Sequence, residues 1–124
     1  MSDIVTLICT LLTIAFGLFG FLAPRYTAAA LDLEPTASTM GLSEMRASVG
    51  GLFVITGLFA LWVGSSSVYF MLGIIYSGIA LGRFVSILFD NPPLQKALLY
   101  GGVEIVMAAF LIFANKQAWS KLKS

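Results

Sequence analysis

The stretch VYFMLGIIYSGIALGRFVSILF (residues 68–89), closed by Asp90-Asn91-Pro92-Pro93, decides the fold. It holds a single charge, Arg83, in an otherwise apolar run. As a helix it rises ~33 Å at ~1.5 Å per residue, enough to cross ~30 Å of hydrocarbon. Polar and apolar residues do not alternate along it, and the run is too long for a barrel strand. Working outward, three further stretches have the same character: residues 4–23, 43–64 and 94–114. The expectation is an all-α protein, an integral membrane four-helix bundle forming one transmembrane domain over residues 1–124.

The breaks between spans carry helix-boundary chemistry. Pro24 ends the first. Ser43 is placed to cap the second, with Glu44 in the first turn, where the helix dipole favours an anion. Ser65-Ser66-Ser67 is so short a turn that spans two and three should be antiparallel neighbours. Asn91 is placed to cap the fourth span, with Pro92 at its first helical position. The loop 24–42 is the one sizeable connection, and residues 25–33 read as a short helix lying at the interface. The first span lacks a basic leader, carries Asp3 and exceeds the length of a signal-peptide core. It is therefore expected to stay in the mature protein.

Composition agrees. Of 124 residues, 59% are hydrophobic and 10% charged, against ~25% charged in an average soluble domain. Mean hydropathy is +0.97. A soluble domain of this size has too little interior to hide such a surface. The net charge of +1 gives no basic field for nucleic acid. With no histidine and the single Cys9, imidazole chemistry, an internal disulfide and a thiol-rich metal site are excluded. Cys9 reads as a packed apolar side chain, and the methionines, Met71 and Met107 among them, as packing. No metal, cofactor or catalytic residue is expected. The expected partners are the lipid bilayer and a larger membrane complex or a second copy of the chain.

Small residues repeat at helical spacing: Thr6, Thr10, Thr13, Gly17 and Gly20 on the first span, and Arg46, Gly50, Phe53 and Gly57 on the second. Gly78 and Gly82 follow on the third, and Gly101, Glu104 and Ala108 on the fourth. Such stripes are expected as inner seams, because close backbone approach drives helix association in lipid.

Charges inside a bilayer are costly and face a partner or a cavity. Arg83 lies ~10 Å inside its boundary at Asp90, and Glu104 ~15 Å inside from Leu94. Arg46 is shallower. All three measure depth from the same side, so Arg46, Arg83, Ser86, Asp90 and Glu104 form the candidate polar cluster. In one reading Arg83 pairs with Glu104 and pins two helices in register. In the other the cluster lines a cavity that holds an anionic or polar headgroup or relays protons. Glu44 reads as an interfacial residue.

At these residues the chain resembles the domain-of-unknown-function 4345 family of small four-helix bacterial membrane proteins. The resemblance rests on Glu44-Met45-Arg46-Ala47 with Gly50-Gly51, on Ala80-Leu81-Gly82-Arg83 with Ser86 and Asp90, and on Glu104. Where the family usually has glycine after the aspartate and a proline soon after, this chain has Asn91, Pro92 and Pro93. The family is distantly similar to DoxX-type four-helix proteins, some of which accompany membrane oxidoreductases. The resemblance implies the bacterial inner (cytoplasmic) membrane. Lys116, Lys121 and Lys123 in the tail 115–124 outweigh Arg25 and Lys96, so the termini are expected in the cytoplasm. The expected function is that of a non-catalytic accessory or assembly subunit, or a lipid-binding protein. A small transporter using the Arg/Glu cluster, or a cofactor-poor membrane enzyme acting on a lipid or quinone, are the alternatives.

Overall fold

The computed structural model describes residues 2–34 and 36–123; of Ser2 and Asp3 only the backbone is described, so the Asp3 carboxylate lies outside the described residues. The elements are α1 (Ser2–Leu22), α2 (Pro24–Ala30), α3 (Met40–Glu44), a π-helical stretch (Met45–Gly51), α4 (Leu52–Val63), α5 (Ser66–Phe89), α6 (Leu94–Ala114) and α7 (Ala118–Lys123). Among the described residues there is no strand. From α3 through α4 the helix runs on without interruption as Met40–Val63. Four helices are therefore long and apolar enough to cross a membrane: Ile4–Leu22, Met40–Val63, Ser66–Phe89 and Leu94–Ala114. That is the mark of a multi-pass membrane protein.

The surface fits a lipid solvent. Trp62 is 84% exposed and Phe89 80%, while Thr10 and Thr13 are fully buried. Many large apolar side chains point outward, which is stable only where the surroundings are as apolar as leucine. The chain divides into two units, one of residues up to Cys9 with those from Gly64 on, the other Thr10–Val63.

The first unit is organised by the α5–α6 hairpin. Its turn places Asn91 at φ 51°, the left-handed region that asparagine tolerates better than most side chains. Asn91 therefore does not cap α6; Pro93 holds that position and the helix starts at Leu94. At the other end, the Ser65 side chain accepts from the Val68 N–H at 3.3 Å and caps α5. The two helices approach closely at Gly73, where a Cβ would lie 2.9 Å from Ile112 Cγ1 and 3.1 Å from Ile112 N. Cys9, Leu72, Tyr76, Met107, Ala108 and Leu111 form the buried core there. Asn115, buried, donates through Nδ2 to Thr6 Oγ1 at 3.1 Å and to the Leu111 carbonyl at 2.8 Å. α7 docks on α5, with the Phe70 and Trp119 rings 6.3 Å apart.

Gly78 and Gly82 are not at this seam. A Cβ at either meets nothing within 4 Å. Their spacing suits close packing, but the helix turns them away from α6 and Gly73 serves instead. Gly78→Ala and Gly82→Ala are accordingly expected to raise stability by about 0.5–1 kcal/mol each, since alanine restricts the unfolded chain and fits the helix. The midpoint of unfolding in mixed micelles checks this. A drop in midpoint would show that the face is packed.

In the second unit, α1 leaves its last carbonyls without helical partners. Pro24 starts α2, where a missing N–H costs nothing. Pro24, Thr27 and Ala28 are buried there, while Arg25 and Tyr26 face outward. The short helix expected in the loop is thus present, over Pro24–Ala30. The following helix begins at Met40, not at Ser43. Its N-cap position is Thr39, whose side chain makes no capping bond.

Candidate functional site

Arg83 and Glu104 meet. Arg83 Nε donates to Glu104 Oε1 at 3.1 Å and Nη2 to Oε2 at 2.7 Å, a two-pronged pair between α5 and α6. The geometry matches a planar guanidinium to a planar carboxylate, which is more specific than a point-charge contact. Two neighbours on α6 prepare it. Gly101 has no side chain to oppose the arginine stem, and a Cβ there would lie 3.2 Å from Arg83 Cγ. The Tyr100 ring centre lies 5.7 Å from Arg83 Cζ, a cation–π contact on the same guanidinium. The side chains are 29% and 14% exposed. The pair is thus largely enclosed, and its charges cancel without a ligand.

Ser86 and Asp90 do not join it. They are linked to each other through the backbone, Asp90 N–H to the Ser86 carbonyl at 2.7 Å, at the end of α5. Asp90 is exposed and Ser86 half-buried.

Arg46 stands in the Thr10–Val63 unit, within the π-helical stretch. Its Nη1 donates to the Phe21 carbonyl at 2.6 Å. That carbonyl is one of the orphans at the end of α1, where the helix dipole also favours a cation. The π geometry is visible in the Leu52 N–H bonding to the Ala47 carbonyl, five residues back. The stretch carries Arg46 and sets Gly50 against α1. Such single turns occur often at functional sites. Nothing in the side-chain pattern announces it beyond the Gly50-Gly51 pair.

Beside Arg46 lies a cavity of about 610 Å³ lined by Phe21, Thr39, Leu42, Ser43, Arg46, Ala47 and Gly51. It lies wholly within the second unit, and its lining includes neither Arg83, Asp90 nor Glu104. Thr39 and Ser43 were not among the expected site residues; their signal was position, one turn apart and N-terminal to the arginine on its own helix. A second cavity of about 430 Å³ lies in the first unit, with Thr6, Tyr69, Asn115 and Gln117 in its wall. Among the described residues no three His, Cys, Asp or Glu side chains gather as a metal site would need.

Comparison with curated proteins and with solved structures gives no match. The family model described as Domain of unknown function (DUF4345) matches residues 1–115. It takes in all four long helices, the Arg46 cavity and the Arg83–Glu104 pair, and the chain belongs to that family.

Proposed function

We propose that this is a small non-catalytic protein of the bacterial inner membrane. It acts as an accessory or assembly subunit, or by holding lipid. The observation that carries the reading is the two-pronged Arg83–Glu104 pair. A proton-coupled carrier or an acid–base enzyme needs a carboxylate free to gain and lose a proton or to meet substrate. Glu104, the deep carboxylate of the spans, has both oxygens occupied by one arginine. A packing and binding role asks nothing more of it.

The test is reconstitution. In proteoliposomes the wild type is expected to give no pH-gradient-driven flux. Extracted with its native lipid, it is expected to migrate in an assembly of fixed stoichiometry larger than the monomer. Flux that Glu104→Gln abolishes would overturn the reading.

The same proposal sets the orientation. Four crossings bring both ends to one side, and α7 carries Lys121 and Lys123 in its last turn. Lys123 Nζ lies 5.7 Å from the Trp119 ring centre, and Trp119 is exposed. A basic, aromatic-anchored end fits the cytoplasmic interface. Alkaline phosphatase fused after Ser124 is expected to be inactive, and an active fusion would reverse the topology.

A further inference from the structure

We propose that the cavity at Arg46 binds the phosphate group of a membrane phospholipid. This rests on the lipid-holding reading above and names its ligand.

Three features converge. The first is charge. A guanidinium has five N–H donors, and Arg46 uses Nη1 on the Phe21 carbonyl. Among the described residues no carboxylate pairs with it, unlike Arg83. The bond to Phe21 fixes the guanidinium and leaves its other donors available to an oxyanion. Arginine suits phosphate oxygens in this way because two parallel donors match two oxygens.

The second is the hydroxyl pair. Thr39 and Ser43 line the same cavity. Their backbones are joined, Ser43 N–H to the Thr39 carbonyl at 3.2 Å. Neither hydroxyl has a hydrogen-bond partner among the described residues, and neither is used as a cap. Two hydroxyl donors beside a fixed guanidinium are what a tetrahedral oxyanion takes.

The third is the setting. Side chains on a helix tilt toward its N-terminus, the end of this span at which Thr39 and Ser43 lie. Phe21 and Leu42 supply an apolar wall. The site is an open groove of about 610 Å³ with a mostly exposed lining. A free inorganic anion has no use for that wall, whereas the glycerol and upper acyl chain of a lipid would cover it.

The experiment is calorimetric titration of the detergent-solubilised full chain with dihexanoyl phosphatidylglycerol, with dihexanoylglycerol and glycerol 3-phosphate as the two halves of that lipid. The phosphatidylglycerol is expected to bind, and neither half at the same concentration. Arg46→Gln is expected to weaken binding roughly tenfold or more, the scale of a lost charge-assisted bond. Thr39→Val with Ser43→Ala is expected to weaken it roughly fivefold. The hydroxyl variant keeps the Arg46–Phe21 bond, so it decides the matter if Arg46→Gln fails to fold by circular dichroism. Unchanged affinity in the folded variants overturns the proposal, as does equal binding of dihexanoylglycerol. Equal binding of glycerol 3-phosphate overturns the lipid as source. Failure here leaves the accessory reading untouched, because that reading is judged by flux and assembly size.

Discussion

Arg83→Gln is expected to lower stability by about 3 kcal/mol or more, and Arg83→Gln with Glu104→Gln to recover most of that loss. The reason lies in what each change leaves behind. The single substitution removes both donors from Glu104, at 3.1 and 2.7 Å. A carboxylate then stays enclosed between α5 and α6 with no counter-charge. Breaking a buried pair from one side costs ~3–5 kcal/mol, whereas replacing both partners by a neutral pair is often nearly neutral. Two glutamines can still hydrogen-bond across the same gap.

A double-mutant cycle on the unfolding midpoint in mixed micelles measures this coupling. If the double variant is as unstable as Arg83→Gln, the loss belongs to the arginine's other contacts, the stem over Gly101 and the Tyr100 ring. The pairing would then be incidental. Recovery in the double variant would mean that the pair acts as a register lock. It would hold α5 and α6 at one offset, because only there does the guanidinium fork meet the carboxylate.

The pairing was legible in the sequence because depth can be counted. Arg83 and Glu104 flank one short turn, and a hairpin of two long helices has to place residues at similar depth side by side. The spans were legible for the same kind of reason, since bilayer thickness fixes a length and lipid fixes a composition. Gly101 and Gly73 were harder. A glycine matters at a seam only if the helix rotation aims it there, and rotation is set by the partner. Gly78 and Gly82 had the better spacing and the wrong face.

Arg46 shows a different gap between sequence and structure. Its depth suggested a charged neighbour, yet its partner is the Phe21 backbone carbonyl, and any residue carries a carbonyl. Arg46 also stands in a π-helical turn, which helical spacing in the sequence does not announce. Boundary residues misled for a related reason. Several polar side chains near a helix start can cap it, so Ser43 was as good a candidate as any, while the helix begins a turn earlier.

Gly50→Ala is expected to be among the most damaging small substitutions in the protein, at about 3 kcal/mol, and Gly51→Ala beside it to change stability by less than about 1 kcal/mol. The difference follows from where each missing Cβ would go. At Gly50 it would lie 2.5 Å from Phe21 N and 2.7 Å from Phe21 Cα. At Gly20, facing it, a Cβ would lie 2.9 Å from Gly50 N. The two backbones touch, and backbone cannot move aside as a flexible side chain can. Separating the helices enough to admit one methyl would weaken every contact along the seam, including those at Gly17 and Gly57. It would also pull the Arg46 guanidinium away from the Phe21 carbonyl. Overpacking of a rigid seam costs ~1–3 kcal/mol and occasionally more, and in lipid no hydrophobic term compensates, since the freed surface is already solvated by hydrocarbon. At Gly51 the nearest atom would be the Arg46 carbonyl oxygen at 3.3 Å, then the Phe21 ring at 3.9 Å. That asks for a shift of a few tenths of an ångström, offset by alanine's better helix propensity. The unfolding midpoints of the two variants, measured side by side, check the assignment. Equal effects would mean that the close approach at Gly50 does not set the distance between these helices.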